Sequence, residues 1–271
     1  MPGLEDLRRA SEVKLDLLRA ALRPVQGALV AFSGGVDSTF VLAVALTAHS
    51  PSVPLVERAE ARALASRLAA RHLEVESHEL DDPRYAANPV DRCYYCKTEL
   101  YRLCAEFARR EGVAAILDGF NADDRRDHRP GHRAAEEHAV RSPLAEAGLG
   151  KDEVRAWSEA YGLPTWDKPQ MACLASRLPY GTAVTPERLG QVERAEAGLR
   201  ALGLRSLRVR YHGEIGRVEV AAEELEHAFR EREAVVRAVR EAGFKLAVLD
   251  LEPFRSGRLN ELAGVSLPVV A

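Results

Sequence analysis

The chain has 271 residues, of which 46% are hydrophobic and 29% are charged, so fibrous and intrinsically disordered classes are excluded. Its net charge of −3 and its pI of about 6.3 provide no general positive field, and we expect no nucleic-acid partner. No apolar run reaches the roughly 18 residues of a membrane span and no signal peptide is evident, so we expect a cytoplasmic protein without a membrane partner.

The first elements are predicted from hydrophobic periodicity. Leucines at helical spacing indicate an amphipathic helix from Leu4 to Leu22 that ends before Pro24. The apolar run from Ala28 to Phe32 indicates a buried parallel strand, and the stretch from Thr39 to Leu46 is compatible with a helix. Between them lies a six-residue turn, called the glycine loop below, with the sequence Ser33-Gly34-Gly35-Val36-Asp37-Ser38.

The glycine loop has the properties of a phosphate-binding turn. A strand-to-helix turn leaves backbone N–H groups unpaired at the positive end of the helix dipole, where phosphate binds. Gly34 and Gly35 allow close approach of an anion, and the hydroxyl groups of Ser33 and Ser38 can donate hydrogen bonds. Asp37 is placed to hold Mg²⁺ between phosphates. The Walker and dinucleotide-binding motifs are absent, and the alternative is an ordinary strand-to-helix turn.

The next elements alternate between helix and strand. The patterns predict helices from Leu55 to His72 and from Cys93 to Arg110, and strands from Glu74 to Leu80 and from Ala114 to Leu117. Such alternation predicts an α/β fold with a doubly wound parallel sheet, whose ligands bind at the carboxyl ends of the strands.

A polar segment from Asp118 to Gly131 begins at the carboxyl end of the last of these strands. Its density of charged and turn residues would also suit a solvated surface loop. Because it starts beside the expected phosphate site, we assign Asn121 and Asp124 to nucleotide binding. Asp124 is the candidate for a second carboxylate that faces the metal.

The rest of the chain predicts a smaller C-terminal α+β domain. We place the boundary after residue 183, which gives a nucleotide domain over residues 1–183 and a second domain over residues 184–271. The second domain is predicted to contain a helix from Pro186 to Leu202 and a hairpin that turns at Gly213-Glu214. A helix from Glu223 to Ala242 and a strand from Phe244 to Leu251 follow.

Three of the four cysteines are candidates for one site. Cys93 and Cys96 form a C-x-x-C motif at a predicted helix start, where the helix dipole lowers the thiol pKa and favours the metal-binding thiolate. Cys173 lies on the long irregular stretch from Leu163 to Gly181 and is the candidate third partner. Cys104 lies ~12 Å along the helix axis from Cys96, so we expect it to be a buried apolar side chain.

Three cysteines suit a [4Fe–4S] cluster, because three thiolates can hold three irons and leave the fourth open to an exogenous ligand. A structural zinc site needs a fourth protein ligand, and zinc bound with one of the eight histidines remains an alternative. A thioredoxin-like redox pair is a further alternative, but the surrounding sequence lacks that fold's signature.

A positive face is predicted on the C-terminal hairpin. Arg208, Arg210 and His212 alternate along one strand and therefore point to the same side. Arg217 on the partner strand can join them, and bidentate arginine contacts suit the phosphate of a mononucleotide. The alternative is a solvated face whose arginines pair with acids such as Glu219.

These motifs carry a resemblance to known proteins. The glycine loop resembles the pyrophosphate loop (PP-loop) of the ATP pyrophosphatases, which implies cleavage of ATP to AMP and pyrophosphate and adenylation of a substrate oxygen. Longer motifs, spread over nearly the full chain, resemble the LarE family. They are Arg92 to Lys97, Asp118 to Gly131, Ala172 to Thr182, Arg208 to Gly213, Arg217 to Val220, and Leu249 to Leu251.

The LarE resemblance implies an ATP-dependent sulfur transferase that makes a thiolated pyridinium mononucleotide, the precursor of the nickel-pincer cofactor of lactate racemase. Its implied partners are a pyridinium dicarboxylate mononucleotide substrate, an unidentified sulfide donor and further copies of the chain in a homo-oligomer. In one branch of the family, the residue that matches Cys173 gives up its sulfur and becomes dehydroalanine. In the other, which this chain resembles more closely, residues matching Cys93, Cys96 and Cys173 hold a [4Fe–4S] cluster that carries the transferred sulfide. Glu196 also resembles a site residue of the family.

Two departures from the family pattern concern nucleotide contacts. Phe120 stands where the family usually has a small polar residue, and Pro253-Phe254 replaces a usual glycine-tyrosine pair. Three other functions compete with sulfur insertion into a pyridinium. A tRNA-thiolating enzyme would need a basic RNA-binding surface. An amidating enzyme has no use for three converging cysteines, and a non-catalytic nucleotide or iron–sulfur protein would release no pyrophosphate.

Overall fold

The computed structural model of the protein describes residues 3–25, 27–42, 45–49, 52–126, 130–168 and 172–255. Parts of four predicted regions lie outside these ranges. They are residues 43–44 of the helix predicted from Thr39 to Leu46, 127–129 of the polar segment, 169–171 of the stretch before Cys173 and 256–271 of the second predicted domain. None of the helices within the described ranges is both long and apolar enough to cross a bilayer.

The first part of the chain alternates helices and short strands. In order they are α1 (Leu4–Leu22), β1 (Ala28–Ala31), α2 (Val36–Phe40), β2 (Ala45–His49), α3 (Leu55–Arg67), β3 (His72–Glu76), α4 (Pro83–Ala86), α5 (Arg92–Glu111), β4 (Ala115–Leu117), α6 (Pro130–Glu137), α7 (Pro143–Glu146) and α8 (Lys151–Ala160). The second part contains α9 (Pro186–Ala201), β5 (Leu207–His212), β6 (Ile215–Val220), α10 (Leu225–Arg230), α11 (Arg232–Glu241) and β7 (Leu246–Leu249). Short 3₁₀ turns cover Glu79–Asp81, Asp123–Arg126, Leu174–Arg177 and Ala222–Glu224.

The first four strands form a parallel sheet in the order β3-β2-β1-β4. Helices cover both faces, because Val30 of β1 packs with Leu18 of α1, whereas its neighbour Leu29 packs with Phe107 of α5. This arrangement confirms the predicted α/β class. Strands β2 and β3 lie on one side of β1 and β4 lies on the other, so the strand order reverses between β1 and β4. Ligands of such sheets bind outside the carboxyl ends of the strands at this reversal.

Two predicted helices of this part are too long. The helix predicted from Thr39 to Leu46 covers only Val36–Phe40, and β2 begins at Ala45. The helix predicted to reach His72 ends at Arg67, and His72 opens β3. In both places an apolar or amphipathic run continues past the end of a helix into a strand, and hydrophobicity alone does not distinguish the two. The β1-to-β2 connection is therefore close to the shortest that parallel strands allow, about a dozen residues.

The last three strands form a second sheet in the order β5-β6-β7. Strands β5 and β6 form the predicted antiparallel hairpin, which turns at Gly213 with a φ of 65°. The single helix predicted from Glu223 to Ala242 is instead a 3₁₀ turn followed by α10 and α11, which meet at Glu231. Helices α9 and α11 cover one face of this sheet through a continuous apolar core. The domain boundary after residue 183 stays a prediction.

A buried ion pair joins the Cys173 segment to the second sheet. Arg177 and Glu196 are both fully buried, and Arg177 donates from Nε to Oε1 at 2.7 Å and from Nη2 to Oε2 at 3.0 Å. The backbone N–H of Val209 in β5 donates to Oε1 of the same carboxylate at 3.1 Å, and Arg200 donates to Oε2 at 3.1 Å. Glu196 therefore holds the segment, α9 and β5 together.

Replacement of Glu196 by glutamine should lower the free energy of unfolding by roughly 3–5 kcal/mol, because Arg177 would keep its charge without the compensating carboxylate. Urea titration at pH 7 measures this loss. Glu214→Gln is the control, because the Glu214–Lys245 pair is exposed and its loss should change stability by less than about 1 kcal/mol. Equal losses in the two variants would contradict the assigned importance of the buried pair.

The stability that the Glu196 carboxylate contributes should depend on pH. Burial opposes ionisation of Glu196, but the charges of Arg177 and Arg200 prevail and hold its pKa below the ordinary value. A lowered carboxylate pKa contributes stability above the unfolded pKa, roughly 4.3, and this contribution is lost as the pH falls through the folded value. The stability difference between the wild type and Glu196→Gln should therefore shrink on acidification.

Candidate functional site

The glycine loop lies at the reversal between β1 and β4. Gly34 has a φ of 71°, and a Cβ there would lie 3.0 Å from Cβ of Ala61, so only glycine fits. The hydroxyl oxygens of Ser33 and Ser38 are 3.1 Å apart, and Ser33 Oγ accepts the Gly35 N–H at 3.3 Å. Because α2 has only five residues, its dipole adds less than the predicted helix would, and anion binding falls to the loop's own donors.

Gly119, which follows β4, lies directly against the backbone of this loop. A Cβ on Gly119 would lie 2.7 Å from the backbone nitrogen of Ser38 and 3.1 Å from the carbonyl carbon of Asp37. Real Cβ atoms essentially never approach a backbone atom to 2.7 Å, so a residue other than glycine would displace the loop. Gly119 therefore fixes the distance between the carboxyl ends of β1 and β4.

Only one of the two carboxylate oxygens of Asp37 accepts a hydrogen bond among the described residues. Its Oδ2 accepts a hydrogen bond from Nζ of Lys151, whereas Oδ1 is buried and has no hydrogen-bond partner among the described residues. A buried carboxylate oxygen without a donor is costly unless a cation binds it. Mg²⁺ prefers carboxylate oxygens beside phosphates, so Asp37 fits the predicted Mg²⁺ ligand.

Asn121 and Asp124, the two residues predicted from the polar segment, are hydrogen-bonded to each other. Asn121 Oδ1 accepts the backbone N–H groups of Asp123 at 3.0 Å and Asp124 at 3.3 Å, and Asp124 Oδ2 accepts the Asn121 N–H at 3.2 Å. Asp123 Oδ2 in turn accepts the Lys151 N–H at 2.7 Å. These bonds shape the turn that follows β4 and attach it to α8, and the metal-facing role of Asp124 stays a prediction.

Sequence reasoning missed two lysines that touch the glycine loop. Lys151 reaches Asp37, and Lys168 donates to the Gly34 carbonyl oxygen at 3.2 Å. Burial lowers the pKa of Lys168, but Glu60, 2.8 Å away, and Glu57, 3.1 Å away, raise it above the ordinary value and keep the side chain charged. Both lysines are more than a hundred residues from the loop in sequence, so no local spacing could reveal them.

Two of the three candidate cysteines, Cys93 and Cys173, lie near one buried cation, Arg92. Cys93 and Cys96 lie in the first turns of α5, as predicted, with Cys93 exposed and Cys96 and Cys173 partly buried. Burial lowers the pKa of Arg92, but the nearby Cys173 and Cys93 raise it above its ordinary value. Cys173 also acts on the pKa of Cys96. The fold thus brings together thiols that are 77 residues or more apart in sequence.

The predicted lowering of the thiol pKa is wrong for Cys96. Burial raises the pKa of this thiol strongly, and the charge of Glu79 adds to the effect, so desolvation outweighs the helix dipole. Cys104 is fully buried, as predicted, and burial raises its pKa to about 12. Without an added positive charge, Cys96 is therefore a thiol rather than a thiolate.

Among the described residues, no three His, Cys, Asp or Glu side chains converge closely enough to bind a single metal ion. A zinc ion needs its donors about 2.3 Å from one point, so zinc is a poor fit to this arrangement. A [4Fe–4S] cluster spreads its thiolates over separate irons and accepts sulfur atoms that lie farther apart. Three neighbouring thiols, two of which interact with the buried Arg92, fit such an anionic group.

The segment with Cys173 is held from two sides. Arg92 donates to the Ala175 carbonyl oxygen at 3.0 Å and to the side-chain oxygen of Asn88. Arg177, on the other side, donates to the Cys173 carbonyl oxygen at 2.9 Å. The Asn88 amide completes the first side by donating to the carbonyl oxygens of Leu178, Pro179 and Thr182.

The predicted arginine face is only partly buried: Arg208 and Arg210 are buried, Arg217 is half-buried and His212 is exposed. Arg210 donates to Glu219 at 2.8 Å and to the Ser176 carbonyl oxygen at 2.9 Å, which joins β5 to the Cys173 segment. Arg217 donates to the other oxygen of Glu219 at 2.7 Å, so pairing with this acid, the stated alternative, does occur. Burial and the charge of Arg177 lower the pKa of Arg208 to about 10. Positive charge is therefore in excess around Arg208.

Both departures from the family pattern have local partners. The ring of Phe120 stacks on His132 of α6, with centroids 4.2 Å apart and planes 3° from parallel. The guanidinium of Arg208 lies 4.7 Å from the ring centroid of Phe254. Phe120 thereby ties the turn after β4 to α6, a contact between residues twelve positions apart that the sequence did not indicate.

Replacement of Gly119 by alanine should displace the glycine loop, because the added methyl group meets the rigid backbone nitrogen of Ser38. We expect ATP affinity, measured by calorimetry, to fall at least about tenfold, on the scale of one lost loop contact of about 1.4 kcal/mol. Gly190→Ala on α9 is the control, since its Cβ meets only the flexible end of Arg194. Unchanged ATP affinity in Gly119→Ala would contradict the predicted role of this loop.

No protein-family model matches the chain. The chain is 42% identical over 263 residues to an uncharacterized protein of Synechocystis sp., covering 93% of this chain and 98% of that protein. It is 38% identical over 255 residues to the pyridinium-3,5-bisthiocarboxylic acid mononucleotide synthase of Lactiplantibacillus plantarum, covering 90% of this chain and 92% of the synthase. Because this identity extends over nearly the whole of both chains, the chain belongs to the LarE family, that of the pyridinium-3,5-bisthiocarboxylic acid mononucleotide synthases.

Proposed function

We propose that this protein adenylates a carboxylate of a pyridinium dicarboxylate mononucleotide with ATP, releases pyrophosphate, and replaces the activated oxygen with sulfur. Family membership supports sulfur insertion into a pyridinium mononucleotide for nickel-pincer cofactor biosynthesis. The observation that carries the ATP-dependent step is Asp37 Oδ1, a buried oxygen without a partner among the described residues, beside a glycine loop at the sheet reversal. We further propose a cytoplasmic homo-oligomer that takes sulfide from a separate donor.

The adenylation step uses the glycine loop as an anion clamp. Its backbone N–H groups and the Ser33 and Ser38 hydroxyls would bind the pyrophosphate, and Asp37 would hold the Mg²⁺ that bridges the phosphates. The substrate carboxylate attacks the α-phosphorus and pyrophosphate leaves, which produces an acyl-adenylate. AMP is then a good leaving group for a sulfur nucleophile.

The sulfur step is assigned to the cysteine site. Cys93, Cys96 and Cys173 would hold a [4Fe–4S] cluster, which supplies exchangeable sulfide when bound. The buried charge of Arg92 favours an anionic group there and stabilises the thiolate form of the ligands. Asn88 and Arg177 hold the backbone around Cys173, so this ligand is positioned before the substrate arrives.

The substrate phosphate is assigned to the arginine face. The guanidinium groups of Arg208, Arg210 and Arg217 lie on the side of the second sheet that meets the Cys173 segment, as the Arg210 bond to the Ser176 carbonyl oxygen indicates. Burial and, after it, the charge of Arg177 lower the pKa of Arg208, and a phosphate monoester would be attracted to these neighbouring cations. Glu196 would act indirectly, by fixing Arg177 and Arg200.

The alternative sulfur route consumes Cys173. In that route its thiolate displaces AMP to form a thioester, a base removes the α-proton, and the Cβ–S bond breaks to leave dehydroalanine and the product thiocarboxylate. The partial burial of Cys173 beside Cys93 and Cys96 favours the cluster route, because a sacrificial donor has no use for two neighbouring thiols.

Anaerobically purified protein should contain about four irons and four sulfides per chain. Single replacement of Cys93, Cys96 or Cys173 by alanine should remove most of the iron, whereas Cys104→Ala, a control thiol in the core, should retain it. Elemental analysis and visible absorbance measure this without any assay of activity. Absence of iron, with loss of one H₂S from Cys173 after product formation, would instead identify the sacrificial route.

Pyrophosphate release from ATP should require Mg²⁺ and the pyridinium substrate, and tRNA should not replace that substrate. Asp37→Asn should reduce the release at least about 10²-fold, the scale of one lost electrostatic contact in a transition state. Asp152→Asn, an exposed carboxylate on the first turn of α8, should have no effect. Binding of ATP without any pyrophosphate release would favour a non-catalytic nucleotide-binding protein.

A further inference from the structure

The side chain of Lys151 is aimed at the glycine loop by a rigid backbone. Its Nζ donates to Asp37 Oδ2 across 114 positions of sequence. The Lys151 backbone N–H is held by Asp123 Oδ2 at 2.7 Å, and Glu153 accepts the Gly150 N–H at 2.9 Å. These bonds fix the start of α8, so the lysine reaches the loop from an anchored position.

The contact with Asp37 is one that a metal ion would break. A divalent cation on this carboxylate places two positive charges next to the ammonium group, and Coulomb repulsion at such a distance disfavours both cations on one carboxylate. The side chain of Lys151 is 27% exposed, so it is free to move a few ångströms toward solvent-filled space. The nearest new anion is then the phosphate chain that the same metal would bridge.

Two other lysines near the loop, Lys168 and Lys14, pair with acceptors other than Asp37. Lys168 has three acceptors, the Gly34 carbonyl oxygen and two carboxylates. Lys14 binds both oxygens of Glu153 on the far side of the start of α8. Within the described part of the chain, Lys151 is the lysine whose partner is the metal-binding carboxylate itself.

We infer that Lys151 is a catalytic residue that pairs with Asp37 in the free protein and moves onto the β- and γ-phosphates when Mg·ATP binds. This inference rests on the proposed ATP-dependent function. In P-loop enzymes a lysine within the loop cradles these phosphates, and the glycine loop has none. Lys151 supplies the missing charge from a helix far along the chain, and it neutralises the pyrophosphate as it leaves.

The test compares Lys151→Met with Lys14→Met, which removes an ion pair of similar length at the same end of α8 but contacts no part of the loop. Calorimetry measures ATP and AMP affinities, and a coupled assay measures pyrophosphate release. We expect Lys151→Met to bind ATP about tenfold or more weakly, to bind AMP unchanged, and to release pyrophosphate about 10²-fold more slowly. Lys14→Met should match the wild type.

Lys151→Arg keeps the charge and the Asp37 partner, and should recover most of the ATP affinity even if Lys151→Met folds poorly. Equal weakening of ATP and AMP binding, or unchanged pyrophosphate release in Lys151→Met, would overturn the inference and leave Lys151 a structural partner of Asp37. A wild-type protein that releases no pyrophosphate would contradict the proposed function instead. The ratio of ATP to AMP affinity would still decide whether Lys151 contacts the β- and γ-phosphates.

Discussion

Two fully buried charges, Arg177 and Glu196, determine how the halves of this molecule meet. Desolvation of such a pair is tolerated where its polar atoms find partners, and here each guanidinium nitrogen and each carboxylate oxygen has at least one. The carboxylate is shared between the guanidinium, the β5 backbone and Arg200, while the remaining guanidinium nitrogen binds the carbonyl oxygens of Ala172 and Cys173. One ion pair therefore sets both the position of the third thiol and the geometry of the arginine face.

A single helix links the thiols to the glycine loop. Helix α5 carries Cys93 and Cys96 at its start, and Tyr101, two turns later, donates from its hydroxyl group to Asp118 Oδ2 at 2.9 Å. Asp118 precedes Gly119, whose backbone abuts the glycine loop. Any shift of α5 along its axis would thus move the thiols and the glycine loop together. A reaction in which an adenylate formed at one site must meet sulfur at the other requires such a fixed separation.

Local patterns predicted β1, β4, the hairpin, β7, α1, α5, the glycine loop and the cysteines, because each depends on residues close in sequence. They failed where tertiary context decides. The run from Val41 into β2 is apolar whether it is helix or strand, so the short α2 was not foreseen. The raised pKa of Cys96 results from burial that only packing creates. Lys151 and Lys168 have no neighbouring signal, since their partners lie more than a hundred residues away.

Around the second sheet, arginine side chains outnumber the carboxylates that pair with them. Five guanidinium groups gather there against three carboxylates. They belong to Arg177, Arg200, Arg208, Arg210 and Arg217, with Glu196, Glu219 and Asp250 as their partners. Burial is the main cause of the lowered pKa of Arg208, and the charges of Arg177, Arg210 and Arg200, which folding has brought together, lower it further. If the proposed substrate phosphate binds here, it would relieve this repulsion and form new hydrogen bonds with guanidinium groups that folding has already positioned.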